Sequence, residues 1–253
     1  MLHITFPFGR FDVSDNLDLI RNGTPLHSQS RRLKDLLKVL LDPTIVNETT
    51  GETTLYKMYR AAVFDMHYDL FSKNILRFDI TIMSPLLLGH ELNKTMGHSH
   101  PEAVAELSFP EIYQVLYGET CFLLQKMEKG QVTEFKVVKA EPGDVVLIPP
   151  NYGHVSVNYG DSLLVLTNLV SDNFTSVYGE YLLRRGAAYY MLQGGNLIPN
   201  PRYQSLPEPI FSKEQYPVSK DLYTDFVSCP RSFSFLNDPT KLGKVSCRKD
   251  RQT

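Results

Sequence analysis

From Leu55 onward, apolar and polar positions alternate in short runs, the period of two that marks strands burying at least one face. The pattern predicts strands over Leu55 to Val63, Phe78 to Ile82, Glu91 to Met96, Glu111 to Tyr117, Cys121 to Gln125, Thr133 to Ala140, Asp144 to Ile148, His154 to Asn158 and Leu163 to Val170. Turn chemistry separates them at Tyr117-Gly118-Glu119, Glu128-Lys129-Gly130 and Glu141-Pro142-Gly143-Asp144. Short strands at this spacing predict an all-β barrel or jelly roll.

Upstream the period changes. Leu33, Leu36, Leu37, Leu40 and Leu41 recur at helical spacing, predicting an amphipathic helix over Arg31 to Leu41, capped by Ser30 and stopped at Asp42-Pro43. Its leucine stripe is expected to pack on the sheet. Beyond residue 171 the signal weakens to a short helix within Asn173 to Arg185 and a surface strap through Pro199, Pro201, Pro207 and Pro209. The expected organisation is an N-terminal extension with one helix (1–49), a barrel domain (50–210) and a partly disordered C-terminal extension (211–253). The basic end, with Lys244, Arg248 and Lys249, reads as solvated.

Composition narrows the partners. The 253 residues carry a formal charge of -2 and are 42% hydrophobic and 21% charged, so no basic footprint points to nucleic acid or to an anionic membrane surface. No run reaches the roughly 18 apolar residues of a membrane span. The start, Met-Leu-His-Ile-Thr-Phe, lacks a cationic region followed by a continuous apolar one. Cys121, Cys229 and Cys247 form no CxxC pair, and their odd count argues against a disulfide scaffold. A cytoplasmic protein is expected.

The candidate chemistry lies in Gly97-His98-Ser99-His100, Glu111 and Pro149-Pro150-Asn151-Tyr152-Gly153-His154. Residues two apart on a strand share a face, so His98 and His100 can grip one ion, with Glu111 and His154 completing the shell from later strands. Glu102 and Glu106 compete for the carboxylate role, but Glu111 opens a run that alternates as a strand and ends near a glycine. Imidazoles with one carboxylate suit Fe(II), Mn, Ni, Co or Zn, and affinity order does not choose among them. We expect one divalent ion per chain, with Fe(II) placed first. A lone histidine such as His3, His27, His67 or His90 is more often packed or exposed than a ligand.

These blocks resemble the two cupin motifs, with three departures. Ten residues separate His100 from Glu111, Asn151 stands where a glycine is usual, and Leu92 stands where a glycine often opens the first motif. Asn is the non-glycine residue that best tolerates a positive φ. With Phe78-Asp79-Ile80-Thr81, Thr95-Met96-Gly97, Pro110-Glu111-Ile112-Tyr113, Arg185-Gly186-Ala187-Ala188-Tyr189-Tyr190 and Asn200-Pro201-Arg202-Tyr203, the chain resembles the archaeal-type, cupin glucose-6-phosphate isomerases over roughly residues 50 to 210. The resemblance implies a cupin jelly-roll barrel, commonly in a homodimer, that interconverts glucose 6-phosphate and fructose 6-phosphate. It implies a metal on His98, His100, Glu111 and His154, and catalysis by Glu111 and Tyr113. Thr81, Thr95 and the Gly97 backbone would line the phosphate end, and Tyr59 and Tyr178 would contact the sugar. Val170 and Ser176 stand where some members carry an aromatic residue and a histidine, and Phe109 lacks a hydroxyl. A cupin site also hosts other chemistry, so a metal-dependent dioxygenase and a non-catalytic sugar-phosphate binder remain alternatives.

Overall fold

A computed structural model describes residues 1–213, 216–219 and 221–243. The chain opens with a four-stranded antiparallel meander, β1 (Leu2–Phe6), β2 (Gly9–Val13), β3 (Leu19–Arg21) and β4 (Thr24–Pro25), which the irregular pattern of that stretch concealed. Next come β5 (Gln29–Arg32), β6 (Thr54–Tyr59) and β7 (Leu76–Met83), with helix α1 (Tyr68–Lys73) between the last two. A short ladder, β8 (Leu87–Leu88) with β9 (Glu91–Leu92), and a hairpin, β10 (Glu102–Val104) with β11 (Leu107–Ser108), lead to β12 (Glu111–Tyr117). Then follow β13 (Thr120–Glu128), β14 (Gln131–Ala140), β15 (Val145–Ile148), β16 (Tyr152–Asn158) and β17 (Leu164–Ser171). Helix α2 (Gly179–Leu183), β18 (Tyr189–Met191), β19 (Leu197–Pro199), β20 (Ile210–Ser212) and α3 (Leu222–Ser228) complete the order.

Two sheets make the all-β barrel expected from the alternation. One is ordered β15-β12-β17-β7-β6-β5 and the other β16-β13-β14-β20, antiparallel except for the parallel β14–β20 pair. Tyr56, Met83, Tyr113 and Val115 from the first sheet and Phe122, Leu124 and Val138 from the second fill one end of the space between them. The outer faces are covered too, which is why all eight residues of β17 are buried. Leu76, Phe78, Ile80 and Ile82 of β7 point away from the barrel interior, into a cluster with Phe6, Phe11 and Leu19 of the meander and Tyr223, Phe226 and Phe235 near the C-terminus. The Tyr223 ring lies 4.9 Å from Phe78, and its hydroxyl accepts the Phe64 N–H at 3.0 Å. Burying each such aromatic ring contributes on the order of 1.5–3 kcal/mol.

The expected N-terminal α-helix is instead strand followed by 3-10 helix. Gln29–Arg32 pair with β6, which takes Ser30 out of the capping role, and the helix runs Leu33–Val39. Leu33, Leu36 and Val39 are buried at a spacing of three, which suits three residues per turn, while Leu37 is exposed. Strand pairing of the residues before Leu33 outweighed the weak local preference for a longer α-helix. Residues 222–228 and 230–236, in the region assigned to a C-terminal extension, are helical and share the barrel's outer cluster. Lys244, Arg248 and Lys249 lie outside the described residues. No helix of the described residues is long and apolar enough to cross a membrane.

Candidate metal centre

Opposite the apolar end, the space between the sheets turns polar. His98 and His100 lie on an extended segment outside the regular strands. The His98 N–H donates to the His154 carbonyl at 3.1 Å, the His154 N–H donates back at 2.9 Å, and Ser99 bridges Val177 on the other side. Both histidines consequently turn inward, with ring centroids 5.1 Å apart. Glu111 opens β12 and His154 sits in β16. One donor atom from each of His98, His100, Glu111 and His154 lies within 4.8 Å of the others. Glu102 and Glu106 are exposed in the β10–β11 hairpin and take no part in this group. Asn151, in the turn before β16, has φ +68°, the conformation its side chain tolerates.

The protonation pattern follows from the neighbours. His100 Nδ1 is 2.8 Å from the Phe109 carbonyl, which only accepts, so Nδ1 carries the proton and Nε2 turns a lone pair toward Glu111 Oε2, 3.4 Å away. His154 Nε2 is 3.3 Å from the same oxygen. Burial pushes His98 well below the ordinary imidazole range and His154 down to about 4, so the His154 contact to the carboxylate is not an ion pair of a charged ring at neutral pH. Asn168 Nδ2 donates to Glu111 Oε1 at 2.7 Å. Glu111 Oε2 and His154 Nδ1 are buried without a hydrogen-bond partner among the described residues. An ionised oxygen facing imidazole lone pairs out of water is a costly arrangement that a bound cation relieves. The donor set therefore fits a divalent metal, and its chemistry admits Fe(II), Mn, Ni, Co or Zn.

Thr81, Thr95, Gly97, Tyr113 and Tyr178 line one cavity with His98, His100 and Glu111, as do Val170 and Ser176. Tyr113 Oη is 3.1 Å from His154 Nε2, and burial pushes its hydroxyl well above the usual range. Gly97 is required for a reason other than ligand approach: its φ is +82°, and an added Cβ would meet Tyr181 Cδ1 at 2.5 Å and Val155 Cγ2 at 2.8 Å. The free space is about 50 Å³, below the few hundred Å³ usual for a ligand site, so mouth side chains must shift to admit a ligand of ordinary size. Larger cavities of about 440 and 510 Å³ lie beside and beyond the centre, without this donor set.

Tyr59 is the exception and corrects the sequence reading. Tyr56 and Met58 of β6 and Arg60 just after it face the cavity, so Tyr59 faces the other way. It is 1% exposed, donates to the Leu17 carbonyl at 2.6 Å and accepts the Leu19 N–H at 3.0 Å, fastening the meander. Several lining residues escaped the sequence reading. Arg60 Nη1 donates to Asp79 at 2.6 Å, Arg77 Nε lies 2.9 Å from both Asp79 oxygens, and Asp79 is 0% exposed. Strict alternation through Arg77, Asp79 and Thr81 on an otherwise apolar strand was the signal available for Arg77. Phe174 covers His100 at 4.4 Å and stacks on Phe109 at 4.8 Å, from a loop with no periodicity to reveal it.

Comparison with known proteins gives a consistent match. Residues 30–208 match the family model described as glucose-6-phosphate isomerase, beginning about twenty residues earlier than the resemblance read from the motifs and taking in β5 and the 3-10 helix. The chain is similar to the glucose-6-phosphate isomerase of Thermococcus onnurineus, 29% identical over 178 residues, 69% of this chain and 87% of that one. It is 28% identical over 179 residues to the glucose-6-phosphate isomerase of Pyrococcus abyssi, again 69% and 87%. Among solved structures, an oxalate oxidase aligns with a TM-score of 0.38 at 17% identity, covering 51% of this chain and 57% of that one.

Proposed function

The chain belongs to the glucose-6-phosphate isomerase family, and from that premise we propose that it interconverts glucose 6-phosphate and fructose 6-phosphate with one divalent ion held by His98, His100, Glu111 and His154. The observation that carries the metal reading is the convergence of these donors on the unpaired, buried Glu111 Oε2. A divalent ion held there supplies Lewis-acid polarisation of a carbonyl and an adjacent hydroxyl, the chemistry that an aldose to ketose exchange draws on.

The side chains supply the rest. The exchange moves a proton between adjacent carbons, C2 and C1, which calls for one base on one face of the sugar. Glu111 suits that task because Asn168 holds Oε1 and leaves Oε2 poised between metal ligation and proton transfer. Tyr113, kept protonated by burial, is placed to orient a substrate oxygen. Thr81, Thr95 and the Gly97 amide would meet the phosphate end, with Tyr178 beside the sugar, its ring 5.6 Å from His98. A hydride shift between the same carbons is the competing route, and solvent-deuterium incorporation at C2 separates the two. A homodimer in the cytoplasm is part of this proposal and rests on the family alone.

The test is a coupled assay for fructose 6-phosphate conversion before and after chelation, with Fe(II), Mn, Ni, Co and Zn restored singly. Loss on chelation and recovery with one ion is the expected result. Turnover that survives complete metal removal would sink the metal reading.

A further inference from the structure

We infer that Arg31 is the cation that holds the substrate phosphate and sets the preference for phosphorylated sugars, an inference that rests on the function proposed above. Three arginines line the cavity, Arg31, Arg60 and Arg77. Two already have carboxylate partners. Arg60 and Arg77 share the buried Asp79, and Arg77 also donates to Asp172 at 2.7 Å. Other cations along the same sheet edge are neutralised as well, Lys57 by Asp18 at 2.6 Å and both Arg32 and Lys34 by Glu52. Arg31 differs from all of these. Among the described residues it makes no ion pair, and its side-chain hydrogen bond is a long one, 3.5 Å from Nη1 to the Ser30 carbonyl.

Its placement suits an anion at one end of the cavity. Arg31 pairs with Tyr56 in the β5–β6 ladder, and directly opposed residues share a face. The Tyr56 hydroxyl accepts the Met96 N–H at 3.3 Å, which ties this corner to the Thr95-Met96-Gly97 segment. Thr81 and Thr95 offer only neutral donors to a dianion leaving water. A half-buried guanidinium with an unused planar fork supplies the missing charge and can bind two phosphate oxygens at once.

The experiment compares wild type, Arg31→Gln and Arg31→Lys as full-length protein loaded with metal. Inorganic phosphate binding is measured by calorimetry, and KM and kcat are measured for fructose 6-phosphate. Arg31→Gln is expected to weaken phosphate binding about 30-fold and raise KM by a similar factor, with kcat within about threefold. Arg31→Lys should fall between, because it keeps the charge and loses the fork. It also carries the test alone if Arg31→Gln does not fold. Phosphate affinity and KM within twofold of wild type in the folded variants, or no phosphate binding to wild type, would overturn the inference while leaving the isomerase reading intact if turnover persists. Weakened phosphate binding in Arg31→Gln, when the wild type turns over no hexose phosphate, would uphold Arg31 as an anion site and reject the isomerase reading instead.

Discussion

Replacing Glu111 with Gln separates the chemistry of the centre from its architecture. The amide oxygen can keep the Asn168 hydrogen bond, 2.7 Å long in the parent, while the amide nitrogen takes the place of Oε2, 3.4 Å from His100 Nε2 and 3.3 Å from His154 Nε2. In the metal-free protein a donor then faces two acceptors where a carboxylate faced them, so the repulsion at Oε2 is removed together with a buried charge. Metal-free stability should change by less than about 1 kcal/mol, and a gain is the expected direction. Activity should behave differently, because losing a positioned base costs roughly 10²–10⁴-fold, or about 3–5.5 kcal/mol of barrier. The assay is kcat for fructose 6-phosphate conversion at saturating metal, with bound metal counted by elemental analysis and stability taken from urea unfolding under chelation. Turnover within tenfold of wild type, with metal bound, would refute Glu111 as the base. A stability loss of several kcal/mol would refute the account of repulsion among the unprotonated donors.

Other predictions test separate parts of the structure. Without metal, His154 titrates near 4 folded and near 6.5 unfolded, so the unfolded chain binds more protons between those values; stability is full above pH 6.5 and falls toward pH 4, by up to about 3 kcal/mol from this residue. His98 is lowered for the same reason and adds in the same direction, and a flat urea midpoint from pH 7 to 5 under chelation would contradict both. Gly97→Ala should cost about 1–3 kcal/mol, because its Cβ would sit 2.5 Å from Tyr181 Cδ1 at a backbone angle that disfavours it; an unchanged unfolding midpoint would refute that packing argument. Tyr59→Phe should destabilise by about 1–3 kcal/mol through loss of its bonds to Leu17 and Leu19 while leaving KM unchanged, whereas a selective rise in KM would return Tyr59 to the substrate.

The alternation of apolar and polar residues determined the strands, because burial of a pleated face imposes a period of two whatever the strand later pairs with. Glu111–Tyr117 begins and ends where the pattern placed it. The spacing of His98, His100, Glu111 and His154 likewise carried the candidate metal centre, since alternation on an extended segment puts both histidines of the pair on one side. Only the tertiary structure decided which face of each strand meets the cavity. β6 is buried on both faces over Tyr56 and Tyr59, so its sequence does not distinguish the tyrosine of the cavity from the tyrosine of the core. The same limit hid the meander and the ring of Tyr223, whose partners lie across the barrel wall and far along the chain. It hid the role of Arg31 as well. Whether a charge is neutralised depends on which carboxylates the fold brings within a few ångströms, and that is a property of distance in space, which order along the chain does not carry.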